Sequence, residues 1–355
     1  MRVIIGDETG LVKNVALEAD TFVHLGGSTQ SRSTSAKYLA WTEDKDVVVA
    51  RANGKVDSLA TDGTETPWSF TSEGIPVGMG VLPDFGSIVR CNVNGNVEVV
   101  HPLNIKPKPQ SFSVGHDIQV LRVDPLNSNV IAIGGNERDA NLWDLETQQA
   151  IFKAKNVTHD NLDMRVPVWV KAISFLPPSE GQRLVVGTAY HQIRIYDTKT
   201  KRRPVQEVSF GDLPITSMAV HENRVIFGDT AGNINALDLR TLKHLGRYAG
   251  SVGSIRDIAI HPTMPYMAAV GLDRMVHVYN IESRKSYATH YAKQRLNSVL
   301  FTDEGIKAAP VPVVDTTNGA EDEAMSEDEE EEEYEGLEID DNSSSMDSDE
   351  DEDMD

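Results

Sequence analysis

The side chains best suited to covalent or metal chemistry in this 355-residue sequence are ten histidines and a single cysteine. Zinc hydrolysis would call for His-Glu-x-x-His, metal or redox work for paired Cys-x-x-Cys, and acyl transfer for a serine in Gly-x-Ser-x-Gly. The chain has none of these. Gly6-x-x-x-Gly10 follows a short strand as a phosphate loop would, but it lacks the Gly-Lys-Ser/Thr ending. The same spacing recurs at Gly228–Gly232, so it reads as a repeated turn. His116, after Gly115, and His261, before Pro262, fall where a repeat uses histidine structurally. Cys91, within IVRCNV, reads as a buried structural thiol. Acidic pairs such as Asp7-Glu8 read as solvated turns. No catalytic constellation, metal site or cofactor follows, and the chain is expected not to be an enzyme.

Without catalytic residues, function falls to surfaces, and the elements that would carry them come next. Gly134–Thr147 (GGNERDANLWDLET) joins a small-residue strand end through a polar turn to a strand closed by Trp143-Asp144. That pair marks one blade of a WD-repeat β-propeller: the aromatic packs between blades, and the acid accepts a hydrogen bond at the strand end. Degenerate copies stand at Tyr196-Asp197, Leu237-Asp238 and Tyr279-Asn280. Equivalent turns contain Gly10, Asn53-Gly54, Asn94-Gly95, Arg138, His191, Gly232 and Arg274. Their spacings of 44, 41, 43, 53, 41 and 42 residues match a blade period of about 40–45. At Asn-Gly both central residues are expected to take positive φ. The long interval places an insertion in Lys155–Pro167.

Seven turns predict an all-β, seven-bladed propeller over 1–305. The chain starts inside a blade, at Arg2–Gly6 and Leu11–Ala16, and the missing innermost strand is Leu296–Thr302. Pairing 296–302 beside the N-terminal strand closes the ring and removes exposed sheet edges. Residues 306–320 read as a linker. Residues 321–355 hold 21 of the chain's 55 acidic residues and no Lys or Arg, which leaves 34 acids against 33 bases before them. The net charge of −22 is therefore a body of −1 carrying a polyanionic tail, too poor in apolar residues to fold. Ser326, Ser344 and Ser348 each precede an acid by three positions and fit acid-directed phosphorylation. The tail is either a solubilising polyanion, a mimic of nucleic acid toward basic partners, or a screen over the chain's own basic face until RNA displaces it. No run of about 18 apolar residues spans a membrane. The first residues, MRVIIGDETG, do not read as a secretory signal, and a lone cysteine fits a reducing compartment.

Blade connectivity sorts the surface. Turns between second and third strands share a face with the links into the next blade. That rim collects Glu137, Arg138, Tyr190, His191, Asp273 and Arg274 with Arg165, Trp169 and Arg256, a mixture of aromatics and arginines that suits protein contacts. Links after the third strand open on the opposite face and carry Lys106, Lys108, Lys199, Lys201, Arg202, Arg203, Lys243, Arg284 and Lys285, a candidate patch for phosphate backbone. Ordinary turn residues and scattered solubilising lysines are the plainer readings of the two sets. Lys201–Arg203 also reads as a short nuclear-import signal.

RVPVW (Arg165–Trp169), GGNERDANLWDL, GTAYHQIRIYD (Gly187–Asp197), RRPV (Arg202–Val205), DLR (Asp238–Arg240), GSIRDIAIHP (Gly253–Pro262) and GLDR (Gly271–Arg274) together resemble the WD-repeat-containing protein 74 family. Its fungal members are Nop-seven-associated ribosome-biogenesis factors. The match covers blades four to seven; the first three match only as propeller pattern. The resemblance implies a monomeric assembly factor of the nucleus and nucleolus. Such a factor binds precursor particles of the large (60S) ribosomal subunit, contacting rRNA and other assembly factors, and is released by a AAA-type ATPase. The acidic tail departs from the lysine-rich one expected of the family, leaving Lys201–Arg203 to serve import. A chromatin or histone-binding adaptor is the competing reading, with the acidic tail engaging histones.

Overall fold

The computed structural model describes residues 1–27, 30–61, 65–82, 86–101, 110–159, 161–176 and 182–302. Lys106, Lys108, the linker 306–320, and the tail with Ser326, Ser344 and Ser348 lie outside the described residues. Second strands such as Val47–Arg51 (VVVAR) and Arg224–Asp229 (RVIFGD) are nearly continuous β-branched or apolar runs, buried on both faces. Outer strands such as Thr21–Leu25 and Lys201–Ser209 are mostly exposed, and the second is mostly polar. This gradient builds seven four-stranded antiparallel blades.

Blade 1 runs outward as Leu296–Phe301, Arg2–Asp7, Val12–Ala16 and Thr21–Leu25. Val3 lies opposite Phe301 and Ile5 opposite Val299, so the late strand closes the ring as the strand count requires. Trp41 Nε1 ties blade 2 to this strand by donating to Phe301 O at 2.9 Å. The innermost strands of blades 2 to 7 are Ala36–Trp41, Pro76–Val81, Ile118–Val123, Val170–Phe175, Ile215–His221 and Ile255–Ile260.

Apolar burial lies between blades rather than at one centre. Ala132 and Leu142 of blade 4 pack with Val170, Val186 and Tyr196 of blade 5. Val3 and Val15 of blade 1 pack with Val270 and Val278 of blade 7, which seals the ring. Gly134 sits at such a seam: a methyl group there would meet Val170 Cγ1 at 2.6 Å.

The repeated Trp-Asp position explains itself locally. Asp144, Asp197, Asp238 and Asn280 each accept, through Oδ1, the backbone N–H two residues on, at 2.9, 3.0, 2.9 and 3.1 Å. Each short side chain thereby fixes the turn into the outermost strand. Trp143 packs 5.8 Å from Phe112 of blade 3, and Tyr279 5.6 Å from Tyr248 of blade 6.

Three local expectations need correction. At Asn53-Gly54 and Asn94-Gly95 only the glycines have positive φ, +89° and +75°. Gly54 and Gly95 donate to Arg51 O and Asn92 O, so a tight reversal precedes one left-handed residue. In blade 4 the left-handed residue is Glu137, φ +52°, while Arg138 already begins the strand Arg138–Asp144. Asp7 is fully buried rather than solvated. It accepts from Thr9 N and Leu11 N at 2.9 Å each, and Asp229 repeats this with Ala231 N and Asn233 N. That shared cap explains the sequence echo between Ile4–Val15 and Ile226–Leu237.

Candidate functional site: two faces and a channel mouth

Hydrogen bonds join the turns between second and third strands to the inter-blade links. Glu137 N donates to Val168 O at 2.8 Å, Phe210 N to His191 O at 2.9 Å, and Ala292 N to Arg274 O at 2.9 Å. One rim therefore gathers the first set of candidate residues, but they differ in availability. Arg165 Nη2 pairs with Glu137 Oε2 at 3.0 Å, both exposed. Arg274 and Arg256 are exposed, and Tyr190 is 37% exposed. Arg138 is half-buried over Gly115 and donates to Val114 O. Asp273 accepts from His277 Nε2 at 2.8 Å and Met275 N at 3.1 Å. Burial pushes its carboxyl up, yet these bonds outweigh burial and hold it below the usual range. Arg138 and Asp273 thus build the rim rather than offer it. His191 is half-buried with φ +50° and forms the blade 5 turn.

The second set divides. Lys199 lies in the turn after Asp197, and Lys243, Arg284 and Lys285 lie in the equivalent turns of blades 6 and 7. Lys201, Arg202 and Arg203 are not in a link: they open the outermost strand Lys201–Ser209. Arg202 Nε donates to Lys153 O at 2.6 Å and Arg202 O accepts from Lys155 N at 2.8 Å, stitching the perimeter of blade 5 to blade 4. The basic residues thus run from the far face onto the rim of the disc. Asp197 and Asp238 interleave with them as turn caps.

The channel mouth was not legible in sequence. In all seven innermost strands the register skips one residue near the start: Lys37, Val77, Gln119, Lys171, Thr216, Arg256 and Asn297. A bulge re-aims its side chain, and seven in register make a ring. Six of its members, Val77, Gln119, Lys171, Thr216, Arg256 and Asn297, line a cavity of about 400 Å³ in the channel, and Lys37 flanks it beside the lining residue Tyr38. Trp169 Nε1 donates to Gln119 Oε1 at 3.0 Å, and Lys171 Nζ donates to the same oxygen while lying 4.2 Å from the Trp169 ring centroid. Burial first, and the Arg256 charge second, hold Lys37 and Lys171 below the usual lysine range.

Of the chemistry-bearing residues, Cys91 is buried and its thiol is pushed up to about 12 by burial. His261 is buried, edge-on to Phe301 with ring centroids 5.0 Å apart, and accepts from Thr263 N and Met264 N. His116 is exposed beside Asp117 rather than built into the turn. Among the described residues no group of three or more His, Cys, Asp or Glu could hold a metal.

Seven four-stranded blades, closed by the last strand and carrying Asx-capped Trp-Asp positions, define a seven-bladed WD-repeat β-propeller. The chain is 34% identical to WD repeat-containing protein 74 of Homo sapiens over 313 residues, 84% of this chain and 80% of that protein. It belongs to the WD repeat-containing protein 74 family. It is also 24% identical to the ribosome biogenesis protein nsa1 of Schizosaccharomyces pombe, across 86% of this chain and 89% of that one. A ribosome biogenesis protein NSA1 of Meyerozyma guilliermondii matches at 26% over 64% of this chain and 67% of its own. No protein-family model matches. Among solved structures, the computationally designed Ika8 protein shares the fold, with a TM-score of 0.61, 16% identity, and coverage of 85% and 88%.

Proposed function

We propose that this chain is a non-catalytic scaffold of ribosome biogenesis, docking on precursors of the large (60S) subunit in the nucleolus. The observation that carries the reading is its kinship, over most of its length, with proteins named for ribosome biogenesis. The geometry supports a docking role. A ring whose apolar burial lies between every pair of neighbours is rigid, and it offers a rim and a far face of different chemistry. The rim, with Arg165, Trp169, Tyr190, Arg256 and Arg274, suits assembly-factor proteins, and Lys199 to Arg203, Lys243, Arg284 and Lys285 suit rRNA phosphates. Release by a AAA-type ATPase and a monomeric state belong to the same reading. So do a linker at 306–320 and an acidic tail open to phosphorylation at Ser326, Ser344 and Ser348.

The test is purification of the tagged protein from cells, with identification of RNA and proteins at stringent salt. Recovery of large-subunit precursor rRNA with assembly factors is expected. Histones without RNA would overturn the reading in favour of a chromatin adaptor.

A further inference from the structure

The far face and the rim are the surfaces that blade connectivity marks; the bulge ring opens at the inner edge of the rim and shares Arg256 with it. Three of its seven positions are cationic and the others, Val77, Gln119, Thr216 and Asn297, are uncharged. No ring position carries a carboxylate. Among the described residues, neither Lys37 nor Arg256 has an ion-pair partner. The nearby acids are engaged elsewhere: Glu8 faces Arg295 at 3.8 Å, and Asp257 accepts from Ser298 Oγ at 2.9 Å and Val299 N at 3.0 Å. The neutral members are also committed. Asn297 donates to Ser35 Oγ and Ala36 O, and Thr216 to Gly228 O. Arg122 adds another positive charge further down the same cavity.

Converging like charges destabilise a fold unless something offsets them, and the bulge common to all seven blades aims these three toward one another. Lys171 is moreover held in place, fixed by Gln119 and braced on Trp169. Among the described residues, the only carboxylate lining the cavity, Asp257, is already bonded to Ser298 and Val299, and Glu8, which acts on Lys37, faces Arg295. Three cations against these engaged acids leave room for a further anion from outside.

We propose that the channel mouth is a receptor for a carboxylate side chain, in which Lys37, Lys171 and Arg256 receive an aspartate or glutamate presented by an acidic segment of a partner protein. A protein partner is favoured over RNA by what surrounds the ring. Met164, Val252 and Tyr190 on the same rim are 55%, 70% and 37% exposed. Such residues anchor a polypeptide, whereas phosphate contacts draw on cations and polar groups. The inference deepens the scaffold reading and rests on it for the claim that the partner belongs to a precursor particle.

The test uses the full chain and fluorescence anisotropy, with a fluorescein-labelled Gly-Ser peptide carrying three consecutive glutamates and its glutamine counterpart. Wild type is expected to bind only the glutamate peptide, and more weakly as salt rises. Arg256→Gln and Lys171→Met should each weaken binding about tenfold, ~1.4 kcal/mol. The perimeter variant Lys201→Glu/Arg203→Glu should leave it unchanged, and an unaltered melting temperature verifies that the ring variants fold. Equal binding of both peptides, no binding by wild type, or equal loss in the perimeter variant overturns the proposal. So does tighter, ring-dependent binding of a single-stranded RNA of matched charge. Co-sedimentation with precursor particles separates the two readings. Ring-dependent peptide binding without particle association removes the scaffold reading alone. Particle association untouched by the ring variants, with no ring-dependent peptide binding, removes this inference alone.

Discussion

Lys13→Met should destabilise the propeller more than the loss of any exposed charge, because it isolates a carboxylate at the seam of the ring. Lys13 Nζ lies 3.1 Å from Asp7 Oδ2, with both side chains almost wholly buried, and donates to Ala292 O at 2.9 Å. Ala292 belongs to the link that leads from blade 7 to the closing strand Leu296–Phe301. Removing one partner of a buried pair costs about 3–5 kcal/mol, since the other charge stays buried without its counter-ion. Asp7 Oδ1 keeps its bonds from Thr9 N, Thr9 Oγ1 and Leu11 N, which favours the lower end, about 3 kcal/mol. For a ring of this size each kcal/mol moves the midpoint by about 2 °C, so a fall of about 6 °C is expected. The double variant Asp7→Asn/Lys13→Met should recover part of this loss. The asparagine oxygen still caps the turn, and no charge remains. Differential scanning fluorimetry with urea titration measures all four chains. A fall of less than about 2 °C for Lys13→Met would refute the reasoning. So would additivity of the two substitutions within about 0.5 kcal/mol, which would mean that the pair is not coupled.

Gly134→Val should cost about 1–3 kcal/mol or more by driving side-chain atoms into Val170 of the next blade, read as a lower urea midpoint. Alkaline pH should weaken the fold. Burial raises Cys91 from 9.0 to about 12 and Tyr38 from 10.0 to about 12. The unfolded chain therefore ionises first, and stability present below pH 9 is lost progressively toward pH 12. Tyr38→Phe should flatten the part of that decline above pH 10, although it gives up the bond to Val77 O. Reversing Lys201, Arg202 and Arg203 to glutamate should weaken co-sedimentation with precursor particles and leave the secondary structure intact by circular dichroism. Unchanged co-sedimentation would remove the perimeter as an RNA contact.

The blade count and the closing strand were legible because they depend on period and pairing. A turn residue every 40-odd positions, and a chain that begins without an innermost strand, leave one topology open. The Trp-Asp cap was legible for the same reason: Asp144 acts on a backbone N–H two residues away, within the span a sequence displays. The burial of Asp7 is not legible from its neighbours, because the turn cap it forms with Thr9 and Leu11 would look the same on an exposed turn. Lys13 pairs with it from the next strand and is itself held by Ala292 O from far along the chain, and adjacency to Glu8 carries no trace of either. Lys201–Arg203 was misplaced because a charged run resembles a loop, although an outermost strand tolerates it equally well when its face is solvent.

The channel ring failed to show for a further physical reason. A bulge adds one residue to one strand and shifts every later residue to the other face, so period-two alternation breaks where the functional side chain stands. Lys37, Lys171 and Arg256 each follow a buried residue, Ala36, Val170 and Ile255, and precede a strand that reads as ordinary. Only the pairing across to the second strand reveals that each is skipped. The break recurs in all seven blades, whether the bulged residue is Lys, Gln, Thr or Val, so it belongs to the backbone of the fold and not to any one side chain. The propeller supplies seven positions aimed at the channel mouth regardless of what fills them. What is particular to this chain is that three are cations and none is an acid, in a body where acids and bases are nearly balanced at 34 to 33. Three of those bases and none of the acids at seven equivalent positions make a local concentration of positive charge, and the anion such a ring would receive has to come from outside those positions.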